Sequence, residues 1–294
     1  MSAAAATRAE ALGAAARRLG RAGIAAPRRD ARLLMQHALG VAPEALLAEG
    51  EAPLGAGEAR RLSALVGRRC AREPIAYLTG VREFWSLDFA VDRSALVPRP
   101  ETETIVEAVL AQTGRLPARP RLLDLGTGSG CLLVALLSEL EGAVGLGVDI
   151  SAAAVSLARA NARRHGVAGR ASFAVADWGA PLSRRFDIVV SNPPYVAEAS
   201  LASLAPEVAR HEPRAALAGG ADGYESYRRL APQIARLLAA DGLAAVELGA
   251  GMANDVAALF RAAGLVQMGR HRDLAGIDRC ALFAHAARTR FSPE

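Results

Sequence analysis

From Arg121 onward the chain alternates short apolar runs with helix-forming stretches, and this alternation constrains the fold more than any other feature. The runs are RLLDL, GLGVDI, ASFAVA and FDIVVS, followed later by GLAAVELG and RCALFAH, with a helix expected near 253–263. Short apolar runs separated by helical patterns predict parallel strands joined by crossover helices, hence a doubly wound α/β sheet. The order of strands in such a sheet reverses beside the first strand. That reversal opens a crevice at the carboxyl ends of strands one and four, where ligands are bound.

Before this region the pattern is different. Residues 1 to about 85 read as helices separated by Gly and Pro, with Leu12, Ala16, Leu19 and Gly23 at helical spacing. After Pro27, Asp30 is placed to cap a second helix carrying Leu33, Leu34, His37 and Ala38, and a third runs from Gly57 to Arg72. Between Phe84 and Pro98 the period changes. Phe84, Leu87, Phe89, Val91 and Leu96-Val97 predict two short strands around an Asp92-Arg93-Ser94 turn. Pro98-Arg99-Pro100 then leads into a helix holding Ile105, Val109 and Leu110. The expected organisation is a helical bundle over 1–83, a bridging β-hairpin over 84–98 and the α/β domain over 99–294.

Composition narrows the class of protein. A length of 294 residues suits one α/β core plus a small accessory domain, and 52% hydrophobic residues are ample for a buried core. The net charge is +5, and every basic residue is Arg. These arginines form only short pairs such as Arg17-Arg18 and Arg28-Arg29, so no basic block marks a nucleic-acid module. Three scattered cysteines, Cys70, Cys131 and Cys280, offer no disulfide framework, and the five histidines show no metal-ligand spacing. No apolar run reaches the ~20 residues needed to cross a bilayer, and the N-terminus, broken by Arg8 and Glu10, lacks a secretory apolar region. A cytoplasmic protein without a metal or membrane partner is expected.

The first strand runs into Gly126-Thr127-Gly128-Ser129-Gly130, where glycines at every second position allow a tight turn and close approach of a ligand. The second strand ends in Asp149, 19 residues beyond Gly130. An acid at this distance is placed to accept hydrogen bonds from two ribose hydroxyls, which selects a nucleoside. It does not by itself separate a dinucleotide from S-adenosyl-L-methionine. The third strand ends in Asp177-Trp178, an acceptor for an adenine amino group beside an aromatic cover for the base.

The fourth strand delivers Asn192-Pro193-Pro194-Tyr195. A planar nitrogen conjugated to a carbonyl or a ring is a weak nucleophile carrying two N–H donors. The Asn192 side-chain oxygen and the Pro193 carbonyl can each accept one donor, with the prolines holding both acceptors rigid and Tyr195 stacking on the planar group. The expected chemistry is methyl transfer to such a nitrogen, achieved by orientation.

On these residues the chain resembles the peptide chain release factor glutamine N5-methyltransferases. The resemblance covers GIAAPRRDARLLMQHALG, EPIAYLTGVREFWSLDFAVDRSALVPRPETE, DLGTGSG, VDIS, ADW, VSNPPYV, EPRAALAGGADGYESYRRL and RDLAGIDRCALF. It implies a Rossmann-like methyltransferase sheet with a small N-terminal helical domain, and S-adenosyl-L-methionine held by Gly126, Thr127, Gly128, Ser129, Gly130, Asp149, Trp178 and Asn192. It further implies that Asn192, Pro193, Pro194 and Tyr195 hold a glutamine, that of the Gly-Gly-Gln loop of class 1 release factors, and that the N-terminal domain docks the factor. Two other substrates satisfy the same tetrapeptide: adenine N6 in DNA or RNA, and a glutamine of a ribosomal protein. The hairpin and PRPETE segments favour the release-factor group. A binding module that has lost activity would have no reason to keep the glycine loop, Asp149 and Asn192 together.

Overall fold

The computed structural model describes residues 6–286; the first five residues of the expected first helix and the last eight of the expected α/β domain lie outside them. Helices α1 (Arg8–Arg21), α2 (Pro27–Leu39), α3 (Pro43–Ala48), α4 (Ala56–Cys70) and α5 (Ile75–Thr79) come first. The strands β1 (Val81–Phe84) and β2 (Leu87–Ala90) and the helix α6 (Glu103–Leu110) follow. Then come β3 (Arg121–Leu125), α7 (Cys131–Glu139), β4 (Val144–Asp149), α8 (Ala152–Arg164), β5 (Ala171–Val175) and β6 (Phe186–Ser191). The chain continues through α9 (Pro206–His211), α10 (Glu225–Leu237), β7 (Leu238–Glu247), α11 (Ala253–Ala262), β8 (Leu265–Arg272) and β9 (Asp278–His285).

These elements form two compact units. The first comprises residues 1–81 and the α9 segment 205–211. Its core gathers Leu19, Leu34, Met35, Leu62 and Val66 from α1, α2 and α4. Thr7 caps α1 in a reciprocal capping box with Glu10. The role expected for Asp30 is not found. Pro27 itself starts α2, its fixed φ and missing N–H suiting the first turn, so Asp30 lies inside the helix. There it is buried and paired with Arg69 of α4 at 2.8 Å.

The second unit is built on a seven-stranded sheet of order β5-β4-β3-β6-β7-β9-β8. The five strands β3 to β7 pair in parallel, while β9 runs antiparallel to both β7 and β8. The alternation of strand and helix therefore holds through β7, and the sheet then closes with an antiparallel pair. The strand β8 went unread in the sequence because LVQMGRHR is neither an apolar run nor free of Gly. β3 is buried along Leu122–Leu125 and α7 over most of its length, as expected of elements covered on both sides.

The hairpin differs from its expected form. Its turn is Trp85-Ser86, with φ of 53° and 57°, the geometry of a two-residue type I′ connection. Neither residue is the Gly or Asn that normally marks such a turn, so the sequence signal was absent. Asp92-Arg93-Ser94 is instead a local turn in which Asp92 Oδ1 accepts from Ser94 N at 2.8 Å, and residues 96–97 are not a strand. Residues 82–90 belong to the second unit. Asn161 of α8 fastens them, accepting from Ala90 N at 2.8 Å and donating to Ala90 O at 3.0 Å and Ser129 O at 2.8 Å. One side chain thus ties the hairpin to the glycine loop.

Candidate active site

The order of strands reverses between β3 and β6. The register Leu122↔Ile188 to Asp124↔Val190 brings their carboxyl ends together, so the loops 126–130 and 192–195 open side by side. Ser191 Oγ donates to Leu125 O at 2.7 Å and ties the two strand ends. The crevice between them is a cavity of about 500 Å³, within the ~300–1,000 Å³ usual for small-molecule sites.

The loop Gly126–Gly130 spends most of its backbone donors internally. Gly126 N and Thr127 N both donate to Val148 O at 2.9 Å, and Gly128 N donates to Asp149 Oδ2 at 2.9 Å. Gly130, at φ 81°, opens α7; a Cβ there would lie 2.9 Å from the Ala158 Cβ. Gly126 is constrained twice, by a φ of 76° and by the Trp178 ring, 3.1 Å from where a Cβ would be. Trp178 is also left-handed, with φ 52°, a conformation costly for a bulky residue. Its ring lines the cavity over Gly126 while its remainder packs on the core.

Asp149 is half-buried at the cavity wall, held by Gly128 N and by Ser151 N at 2.9 Å. Capping of α8 falls to Ser151, which accepts from Ala154 N at 3.2 Å, so the Asp149 carboxylate is left facing a ligand. The neighbouring Ile150 is 67% exposed on the same wall, an apolar surface suited to cover by a base. Asp177 is engaged by Arg229 at 2.6 Å.

Beneath the loop, Asp124 is fully buried. Thr127 Oγ1 donates to its Oδ2 at 2.6 Å, while Oδ1 has no partner among the described residues. Burial pushes its carboxyl up to about 7, with the Asp149 charge adding to the shift and the Thr127 hydrogen bond opposing it. An orphaned buried oxygen, a glycine cradle closed to side chains at Gly126 and Gly130 and a ribose-type acceptor together fit S-adenosyl-L-methionine, an amino-acid tail joined to a nucleoside. Gly126–Gly130, Asp149, Ile150 and Trp178 would hold it.

Of the tetrapeptide, Asn192 and Pro194 line the cavity and Pro193 is buried. Tyr195, expected to stack on the substrate, is not among the lining residues. Its ring lies against Gly249, and its hydroxyl donates to Glu247 Oε1 at 3.2 Å. Asn192 Nδ2 donates to Thr102 Oγ1 at 3.1 Å, and Thr102 Oγ1 donates to Glu247 Oε2 at 2.6 Å. Neither Thr102 nor Glu247 was singled out from the sequence. A lone acid at the end of the apolar run GLAAVELG was the available signal, for its burial demands a polar partner. Glu247 is 1% exposed, and burial raises its carboxyl to about 7 against the Thr102 and Tyr195 hydrogen bonds and Arg279; Glu101 raises it further.

Two family models match the chain: PrmC N-terminal domain over residues 10–80 and Methyltransferase small domain over residues 102–220. A release factor glutamine methyltransferase of Rhodospirillum rubrum is 50% identical over 265 residues, covering 90% of this chain and 81% of the relative. The chain belongs to the release factor glutamine methyltransferase family. Family members from Bradyrhizobium diazoefficiens and Geobacter sulfurreducens are 44% and 42% identical, over 85% and 87% of this chain and 85% and 89% of their own length. The family match runs through both units, and most of the residues that line the cavity at the β3/β6 crevice lie within its methyltransferase part.

Proposed function

We propose that this chain transfers a methyl group from S-adenosyl-L-methionine to the side-chain amide nitrogen (N5) of the glutamine in the Gly-Gly-Gln motif of class 1 release factors. The observation that carries the reading is the orientation of Asn192 at the cavity wall. Its Nδ2 is engaged by Thr102, and its Oδ1 accepts no hydrogen bond among the described residues. An amide nitrogen entering from the release factor carries two donors. Asn192 Oδ1 accepts one and the Pro193 carbonyl the other, so the nitrogen is pinned with its face toward the donor. The two prolines keep that acceptor pair rigid, and Tyr195 anchors the tetrapeptide through Glu247. Bound S-adenosyl-L-methionine supplies an activated methyl on a sulfonium whose leaving group is neutral. The chain's own contribution is orientation and hydrogen-bond stabilisation of the positive charge that grows on nitrogen; one of its two N–H protons then leaves to solvent, giving the neutral N-methyl amide.

The N-terminal residues 1–83 are assigned to docking of the release factor. Residues 1–81 hold twelve arginines against seven acids, while the rest of the chain is balanced, so the whole net charge of +5 resides there. Arg17, Arg21, Arg28, Arg29 and Arg32 are exposed at the end of α1 and the start of α2, with no ion pair among the described residues. Cations at a helix start oppose the helix dipole, so folding does not ask for them at α2. They suit an acidic face of the factor.

The test is mass spectrometry of a purified class 1 release factor and a duplex DNA, each incubated with the enzyme and labelled S-adenosyl-L-methionine. One methyl on the Gly-Gly-Gln glutamine is expected. Label on adenine with an untouched factor would overturn the substrate.

A further inference from the structure

Asn192 can serve as an acceptor only if its amide stands the right way round, because the two ends of the group differ in hydrogen bonding but hardly in shape. The polarity is set from outside the tetrapeptide. Glu247, on the last residue of β7, meets Thr102 on Oε2 and Tyr195 on Oε1. An ionised carboxylate has no proton to give, so Thr102 must point its hydroxyl proton at Glu247. Thr102 then turns a lone pair to its other neighbour, and only the NH2 end of Asn192 can meet it. The carbonyl end is left for the cavity. Thr102 is 2% exposed and Glu247 1%, so no bulk water can substitute in this relay.

We infer that Glu247 and Thr102 are positioning residues whose one-way hydrogen-bond chain presents Asn192 Oδ1, rather than its Nδ2, to the substrate amide. The inference rests on the acceptor role assigned to Asn192 above. A reversed Asn192 would set NH2 against the N–H donors of glutamine, and the nitrogen would lose one of its two acceptors. Glu247→Gln brings this about at nearly constant shape. The Gln amide can donate to Thr102, which is then free to donate to a flipped Asn192.

The experiment measures turnover on a release factor, together with the dissociation constant for S-adenosyl-L-methionine and the melting temperature of each full-length variant. E247Q is expected to lower kcat about 100-fold, the order seen when one oriented polar group is removed from an active site, with cofactor affinity within about threefold of wild type. Thr102→Val, which removes the hydroxyl at constant volume, should match it. Thr102→Ser should restore most of the turnover lost in T102V. The T102V/E247Q double variant should be no worse than either single, because both break one chain. If E247Q does not fold, T102V and T102S carry the test by themselves. The inference is overturned if T102V keeps more than about a third of wild-type kcat, or if kcat falls only in step with cofactor affinity or melting temperature. Asn192→Ala separates the two layers. An inactive N192A beside an active T102V removes only the relay, whereas an active N192A removes the acceptor role itself.

Discussion

Asp149 and Glu247 are both acids at strand ends, yet the structure prepares them for different work. Asp149 stays at the cavity wall, its two oxygens preset by Gly128 and Ser151 backbone donors with lone pairs to spare. Asp149→Ala should raise the dissociation constant for S-adenosyl-L-methionine about 10- to 100-fold, the loss of one to two hydrogen bonds to a charged group, as isothermal titration would read. Glu247 is sealed in, and its carboxyl sits up near 7. The titratable and charged groups around it are Glu101, Arg279, Tyr195, Tyr227, Cys131 and Cys280. Burial raises the two tyrosines and two cysteines further above neutrality, leaving two acids of the site with carboxyls near 7, Glu247 and, beneath the glycine loop, Asp124, which the E247Q variant separates. The acceptor form of Glu247 is the carboxylate, whose fraction rises with pH. At saturating cofactor, kcat should therefore climb as pH rises through about 7 and level off above it. This limb should vanish in E247Q; a limb that persists there belongs to another group.

At the scale of elements, the site is assembled by strand ends and by a few side chains that lock loops to the sheet. Asn161 holds β2 and the glycine loop together from α8, and Ser191 joins β6 to the end of β3. The N-terminal unit depends on a different lock, the Asp30–Arg69 pair between α2 and α4, to which Glu207 of α9 adds a contact with Arg69 at 3.0 Å. Removal of one partner from a buried pair costs about 3–5 kcal/mol, because the other charge is left uncompensated. Arg69→Met should lower the unfolding free energy of the N-terminal unit, read by denaturant titration, by that amount while the cofactor affinity of the second unit stays near wild type. A loss of less than about 1 kcal/mol would show that water reaches Asp30.

For the molecule as a whole, net charge is divided unevenly: the +5 belongs to residues 1–81, and the α/β unit with its cavity is neutral overall. If the helical unit docks an acidic face of the release factor, Arg17, Arg21 and Arg29 changed together to Glu should raise KM for the intact factor at least tenfold. Turnover of a short Gly-Gly-Gln peptide should be unaffected. Raising the salt concentration should reproduce the KM change in the wild type, since exposed charges are screened within ~10 Å at 0.1 M. A KM that ignores both treatments would place docking elsewhere.

The doubly wound order, the crevice beside β3 and the loops that meet there were legible in the sequence. Strand periodicity and glycine spacing are local properties, and the topology of a parallel sheet follows from them. Asp149, the glycine loop and Asn192 stood out for the same reason, each at the carboxyl end of an apolar run. The antiparallel closure by β8 and β9 was hidden, because β8 is half polar and finds its partners only in the sheet. The hairpin turn was misplaced because Trp85 and Ser86 adopt a left-handed pair that their chemistry does not favour. Asp30 looked like a cap until the packing of α4 supplied Arg69. Thr102, Glu247 and Tyr195 come from three separate segments, and hydrogen-bond direction among them exists only when the chain has folded. Local sequence determined which chemistry the chain carries; the tertiary fold decided which end of the Asn192 amide meets Thr102 and which is left for the cavity, because a hydrogen bond's polarity is set by its neighbours in space.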